Sequence, residues 1–413
     1  MKRVAVTGLG VISPVGNNVA DFWKSLVSGK NGIDKITHFD TEDYKVKLAA
    51  EVKDFDPLLY MEKPEVRKTD LFVQYAIAAA SQAVSDSKID SSVNPERFGV
   101  YFGSGIGGFN TFTAEHESLL NKGPRRVSPM FVPKMISNIA AGNIAIKFNA
   151  QGPCISVTTA CATSTSCIGE AFRAIKFGYA DAIIAGGSEA SITPLAVAGF
   201  TNCMALCAST DKDAASIPFD MRRNGFVMGE GAGAVILEEY EHALKRGAHI
   251  YCELAGYGST CDAYHVTAPH PDGIGGANAI KLAVSEANIE NEEQIYINAH
   301  GTSTPLNDKT ETLAIKKALG EEKARGVSIS STKSMTGHML GAAGAAEAIA
   351  SVLAIENGII PPTIGFAEAD PECDLDYTFN KCKKADINAA LSISLGFGGH
   401  NACIALVKDT QEK

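Results

Sequence analysis

The sequence predicts an α/β fold built by internal duplication, and three observations carry that prediction. Strand-like runs alternate with helical patterns along the 413 residues. The scheme restarts at about Tyr251 and runs again in the same order. In each half a strand leads into a helix rich in Ala, Gly and Ser: "SVTTACATSTSCIGEAFRAI" in the first and "SISSTKSMTGHMLGAAGAAEAIA" in the second. Such helices can be buried on all sides and let neighbouring layers approach closely. The halves divide as 1–250 and 251–413.

"RVAVTGLGVI" reads as a first strand, because glycine breaks the apolar run that a signal peptide would need. "DLFVQYAIAAASQAV" follows as a helix and "FGVYFGSG" as a strand, and a helix is expected near Val132 to Phe148. The small-residue helix after "SVTTAC" runs to Ala180, and "DAIIAGG" and "GAGAVILEEY" are buried strands. The second half supplies strand "YCELAGYGST", a helix from Gly275, strand "IYINAH", a helix from Leu306, strand "GVSISS" and a small-residue helix after His338. It closes with "ALSISLGFGGHNACIALVK", two strands about a Gly-rich turn. The charged stretches "NIENEEQ" and "LGEEKARG" read as solvated, loop-like edges.

Composition excludes several functions. With 47 acidic against 37 basic residues the net charge is -10, which argues against nucleic acid as a partner; an acidic partner would need a local basic patch. Ten cysteines at irregular spacing read as mostly free thiols of a reducing, cytoplasmic setting. The apolar run from Met339 to Ile355 carries Glu347 and is too short to span a bilayer, so no membrane anchor is expected. "GSGIGG" has dinucleotide-site spacing, but the helix, second strand and acidic strand end of that unit do not follow. Cys203 and Cys207, four apart, read as buried structural thiols on one helix face, and no second pair completes a metal site. Cys161 and Cys167 would point apart on a helix and make no redox pair.

Three positions carry chemistry together. Cys161 opens a helix after a strand, where free N–H groups and the helix dipole are expected to lower its pKa. His300 ends a strand and His338 stands where a second helix begins; open α/β sheets gather catalytic groups at such junctions. An isolated cysteine is usually packing and a lone histidine usually a satisfied core residue. Their joint occurrence at related junctions of a duplicated chain points to a nucleophilic site. The glycines of "LGFGGHN" add N–H groups suited to an oxyanion hole for acyl transfer.

"VTTACATS", "NAHGTSTPLND", "KSMTGHMLGAAG" and "LGFGGHN", in this order, resemble the signature segments of the β-ketoacyl-acyl-carrier-protein synthases of the thiolase superfamily, and the resemblance spans essentially the whole chain. It implies a thiolase-like, duplicated five-layer αβαβα core and a homodimer. It implies that Cys161 takes an acyl chain from the phosphopantetheine of acyl carrier protein, with no cofactor of the enzyme's own. His300 and His338, both neutral, would polarise a malonyl thioester, and the Cys161 and Phe397 amides would hold the oxyanion. By the same matching, Lys333 is an active-site lysine with Glu311 as its buried carboxylate partner, or else a paired core charge. Thr302 and Thr304 would guide the pantetheine arm or cap a turn; Thr267 and Gly398 also match substrate-binding positions. Phe397 would be a gate, swinging on Gly396, Gly398 and Gly399. Ile106 and Phe200 would line the acyl channel, or be core residues. Arg67, Lys68, Arg125 and Arg126 would meet the acidic carrier, or be solvated faces.

Met204 stands where many members have a carrier-contacting arginine, and His400 where many have threonine. Thiolases need a second cysteine near the terminal Gly-rich turn, and starter-unit synthases pair the cysteine with histidine and asparagine. A Cys-His-His set favours decarboxylating elongation, most like the type II elongating branch. Synthase I, a polyketide-type ketosynthase and a non-catalytic chain-length-factor-like subunit are the alternatives; the last loses the nucleophile, which this chain retains.

Overall fold

The computed structural model describes residues 1–89 and 93–409. Ten strands form its central sheet. The first half supplies β1 (Val4–Ile12), β2 (Phe98–Gly103), β3 (Cys154–Ile155), β4 (Ala182–Glu189) and β5 (Gly231–Glu239). The second supplies β6 (Cys252–Cys261), β7 (Ile295–Asn298), β8 (Ser328–Ser330), β9 (Ala389–Gly396) and β10 (His400–Val407). Their order is β8-β7-β9-β10-β6-β1-β5-β4-β2-β3.

Each half therefore repeats one arrangement: third, second, fourth, fifth and first strand, in that spatial order. The directions repeat as well. The β2/β3, β2/β4, β7/β8 and β7/β9 pairs are parallel, while β4/β5, β5/β1, β9/β10 and β10/β6 are antiparallel. The halves join where β1 meets β6, Ala5 opposite Glu253 and Val6 opposite Cys252. β4 and β5 are buried almost throughout, which explains their continuous apolar and small-residue runs.

Helices complete five layers. On the outer face of the first half, α1 (Leu71–Ser87) packs against β1, β5 and β4. Between the halves lie α2 (Thr163–Lys176) and α5 (Ala343–Asn357), each touching strands of both. Outside the second half, α3 (Ile274–Ala287) covers β6 and β10, with α4 (Pro305–Leu319) beside it. Small residues are what the middle layer requires: a Cβ on Gly344 would lie 1.9 Å from Thr165 Oγ1. The αβαβα core that the resemblance implied is present.

Both middle helices are entered through a 3-10 turn, Ala160–Ala162 before α2 and Leu340–Ala342 before α5. Ala160 (φ 50°) and Leu340 (φ 48°) adopt left-handed backbone, which costs a side-chain-bearing residue strain. The two turns place Cys161 and Gly341 in matching positions.

Two local expectations need correction. The helix expected from Val132 to Phe148 is two helices, Phe131–Met135 and Ile139–Phe148, because Ile136 turns extended (ψ 136°) between them. "LGEEKARG" holds a short helix, Glu321–Gly326: Glu321 and Glu322 suit its N-terminal dipole end, and Arg325 pairs with Glu321 one turn away. No helix among the described residues is long and apolar enough to cross a membrane. All ten cysteines are free.

Candidate active site

A cavity of about 390 Å³ opens at the ends of the middle helices and brings Cys161, His300, His338 and Phe397 together. Cys161 comes from the turn before α2; His300 follows β7, His338 precedes α5, and Phe397 lies between β9 and β10. Thr302, Thr304, Thr267 and Phe200 share the lining.

The sulfur faces two opposing influences. Enclosure pushes the Cys161 thiol up to about 12, while the Lys333 ammonium and a hydrogen bond donated by the Phe397 N–H pull it down. Desolvation wins, so the resting residue is a thiol, contrary to the lowered pKa expected from its place at a helix start. The Phe397 N–H thus stands beside the sulfur, next to where a carbonyl attacked by it would develop its oxyanion.

His300 and His338 meet edge to face, ring centroids 5.3 Å apart at 86°. Burial, first, and the nearby Lys333 charge hold both well below the usual histidine range, so both are neutral at physiological pH. Lys333 Nζ lies 3.4 Å from His300 Nδ1. An ammonium can only donate, so Nδ1 accepts and the ring proton belongs on Nε2. The backbone N–H of His338 donates to Val227 O at 2.7 Å and its ring packs on Phe226 at 5.1 Å, a cavity residue the sequence reading missed.

Lys333 is 1 % exposed, and its ammonium donates to Glu347 of α5, not to Glu311. Glu311, on α4, is fully buried and turned from the cavity. Its carboxylate accepts the backbone N–H groups of His300 (2.6 Å) and Gly301 (2.8 Å), and burial raises its pKa to about 7. It braces the loop that carries His300 rather than contacting substrate. A signal for Glu347 was present: a lone carboxylate in an otherwise apolar helix must find a partner.

Thr304 occupies the N-cap of α4 without making a side-chain cap bond; its hydroxyl instead lies 2.9 Å from that of Thr302. The two hydroxyls pair with each other at the cavity wall, and that of Thr304 does not cap α4. Gly398 (φ 85°) and Gly399 (φ 76°) give the Phe397 turn left-handed backbone that glycine adopts freely. Gly398 is exposed and outside the cavity lining; its N–H donates to Val266 O at 2.6 Å, and the Asp262 N–H donates to Gly399 O at 2.8 Å. The Phe397 turn is thus tied to the segment bearing Thr267.

Ile106 does not line the cavity but packs, with Phe200 and Cys161, onto one apolar cluster that includes Leu340 and Phe226. Arg67, Lys68, Arg125 and Arg126 are exposed, and Lys134 Nζ reaches Arg67 O at 3.5 Å, adding a further cation beside that pair. Cys207 is buried as expected, but Cys203 is exposed, lies past the end of helix Pro194–Asn202 and lines the cavity. The two do not share a helix face, because the chain turns at Met204 (φ 57°).

The "GSGIGG" loop is no phosphate cradle, because its donors are used. The N–H groups of Gly105 and Ile106 donate to the Glu189 carboxylate, that of Gly107 to Ser104 Oγ and that of Gly108 to Met135 O.

Comparison with known proteins agrees with this geometry. The family models "Beta-ketoacyl synthase, N-terminal domain" and "Beta-ketoacyl synthase, C-terminal domain" match residues 1–243 and 251–367. The chain is 51 % identical over 408 residues, 98 % of each chain, to 3-oxoacyl-[acyl-carrier-protein] synthase 2 of Staphylococcus aureus. It is 50 % identical over 409 residues, again 98 % of each, to the protein of that name from Synechocystis sp.. Among solved structures, a beta-ketoacyl synthase from Burkholderia phymatum superimposes with a TM-score of 0.90 at 32 % identity, covering 99 % of this chain and 100 % of that one. A type II polyketide ketosynthase in complex with its acyl-carrier protein gives 0.90 at 37 %, covering 99 % of both chains.

Proposed function

The chain belongs to the beta-ketoacyl synthase family, and we propose the following course for the reaction in its cavity. The enzyme is an acyltransferase of the 3-oxoacyl-acyl-carrier-protein synthase 2 kind. It joins malonyl-acyl carrier protein to an enzyme-held acyl chain with loss of CO2, giving a 3-oxoacyl chain two carbons longer in fatty acid elongation. The observation that carries the reading is one cavity holding a cysteine and two neutral histidines.

Cys161 attacks the acyl thioester carbonyl; the new C–S bond forms as the old one breaks, and the cysteine's proton ends on the departing pantetheine sulfur. The Cys161 and Phe397 N–H groups hold the oxyanion. When malonyl thioester enters, His300, through its Nε2–H, and His338 donate to its carbonyl. The bond to the carboxylate then breaks, releasing CO2 and leaving an enolate. Neutral histidines suit this step, since a cation would hold the carboxylate by charge. The enolate carbon attacks the acyl-Cys161 carbonyl, the C–S bond breaks, and the departing thiolate takes up a proton from solvent.

Lys333 fixes the His300 tautomer. Thr302 and Thr304 guide the pantetheine arm, with Thr267 at the mouth; Phe397 gates the cavity, and Ile106 and Phe200 border the acyl chain. Glu311 acts by holding the His300 loop. Acyl carrier protein docks at the basic surface of Arg67, Lys68, Arg125 and Arg126, a local exception to an acidic chain. The chain works as a cytoplasmic homodimer, its halves 1–250 and 251–413 acting together; ten free thiols fit a reducing compartment. Identity of 51 % to the fatty acid enzyme against 37 % to the polyketide ketosynthase favours the elongating reading. Retention of Cys161, His300, His338 and Lys333 speaks against a chain-length-factor-like role.

The test is intact-mass spectrometry after incubation with medium-chain acyl-acyl carrier protein, followed by malonyl-acyl carrier protein. An adduct on Cys161 that discharges as a 3-oxoacyl chain two carbons longer is expected. Absence of the adduct, or full condensing turnover by Cys161→Ala, would sink the reading.

A further inference from the structure

Duplication gives the nucleophile's turn a counterpart. β4 and β9 are each eight residues long and hold matching places in the sheet, so Glu189, ending β4, corresponds to Gly396, ending β9. Gly341 likewise corresponds to Cys161, each second in a 3-10 turn that begins at a left-handed residue. At the reacting turn, glycine keeps the approach open: a Cβ on Gly396 would lie 2.6 Å from Thr159 O and 3.2 Å from Cys161 N.

At the counterpart the matching place is filled. Glu189 is fully buried, and its carboxylate accepts five hydrogen bonds. Oε2 takes the N–H of Gly105 (2.9 Å) and of Gly341 (3.1 Å). Oε1 takes the hydroxyls of Ser104 (2.9 Å) and Ser191 (3.1 Å) and the N–H of Ile106 (3.3 Å). Residue 341 has to be glycine for this, since a Cβ would lie 2.4 Å from Gly105 N and 2.8 Å from Glu189 Oε2. A permanent carboxylate thus accepts the Gly341 turn amide where, at the reacting copy, a transient oxyanion would accept that of Cys161.

The other two amides that it holds, those of Gly105 and Ile106, belong to the loop carrying the Ile106 side chain. Ile106 and Cys161 pack on one apolar cluster, and Leu340, next to Gly341, is part of it. On the reading above, a butyryl group on Cys161 is too short to reach far into this cluster, whereas a dodecanoyl chain is long enough to extend into it. We propose that Glu189 is a positioning residue for acyl-chain length: by clamping the Gly105 and Ile106 amides against the Gly341 turn, it sets where the Ile106 side chain stands beside the chain on Cys161. This rests on the elongating reading above.

The experiment compares full-length wild type, Glu189→Ala and Glu189→Gln with butyryl-, octanoyl- and dodecanoyl-acyl carrier protein, reading Cys161 acylation and kcat/KM for each. The glutamine fills the same volume; its oxygen can accept from Gly105 and Gly341, while its amide N–H groups can donate to the serine hydroxyls but cannot accept from the Ile106 N–H. It should disturb the chain-length profile in the same direction as the alanine and by less. In Glu189→Ala, kcat/KM for dodecanoyl should fall about tenfold relative to butyryl, the scale of losing charged buried hydrogen bonds. Should the alanine variant not fold, Gly341→Ala presses on the same contact from the other side and should change the ratio in the same direction. Equal loss at every chain length in a folded variant, or an unchanged ratio, would overturn the assignment. A wild type that takes up no acyl chain would overturn both readings, and that outcome is seen in the wild-type arm alone.

Discussion

Replacing Lys333 with methionine should let His300 take up a proton at a much higher pH. The ammonium lies 3.4 Å from His300 Nδ1, and at an effective dielectric of about 20 that separation opposes a second positive charge by about 5 kcal/mol. Spread over the whole imidazolium the effect is smaller, and burial, the larger influence on His300, remains after the substitution. A rise is therefore expected, smaller than that full opposition. The assay is a ring-nitrogen NMR titration of His300 in wild type and Lys333→Met, beside CO2 release from malonyl-acyl carrier protein across the same pH range. A histidine with a depressed pKa loses its neutral form as pH falls through the folded value, so the acid limb of CO2 release should move upward in the variant. If His300 titrates no higher in Lys333→Met than in wild type, the electrostatic role of Lys333 is wrong.

The same substitution strands Glu347 in the middle layer, and breaking a buried pair costs about 3–5 kcal/mol. Lys333→Met combined with Glu347→Gln should recover most of that loss in urea unfolding, and a double variant as weak as the single one would contradict the pairing. With the thiol of Cys161 pushed up to about 12, its alkylation by iodoacetamide should keep quickening as pH rises through about 10; a plateau near pH 8 would show a ready thiolate instead. By linkage, the preference of the fold for the thiol form stabilises below the unfolded value of about 8.5 and fades as pH climbs toward about 12.

The duplicated topology was legible because both halves announce their buried strands by β-branched and small-residue runs, and their middle helices by Ala, Gly and Ser. Cys161, His300 and His338 were legible because each sits at a strand-to-helix junction, which sheet geometry brings together. The partner of Lys333 was not: Glu311 and Glu347 are both fully enclosed carboxylates, and what separates them is that α5 lies between the halves while α4 lies outside. The protonation of Cys161 was misread because local position favours thiolate, whereas enclosure by residues far apart in sequence outweighs it. Glu189 escaped notice because its meaning comes from a symmetry that appears once the strands are paired. Cys203 and Cys207 shared a spacing but no helix, a matter settled by one left-handed residue between them.

The strand order also governs how this protein can be made. β1 is flanked by β5 and β6, so the first strand to leave the ribosome has neither neighbour until residues 231–261 have been synthesised. Until then Val4–Ile12, nine buried residues in the finished molecule, presents two unpaired edges to solvent, with α1 able to cover one face once residue 87 has been made. Such long-range closure slows folding and exposes nascent chains to aggregation. Production of the enzyme should therefore depend on chaperone holding during synthesis, and no fragment ending before β5 has a native strand neighbour for its own first strand.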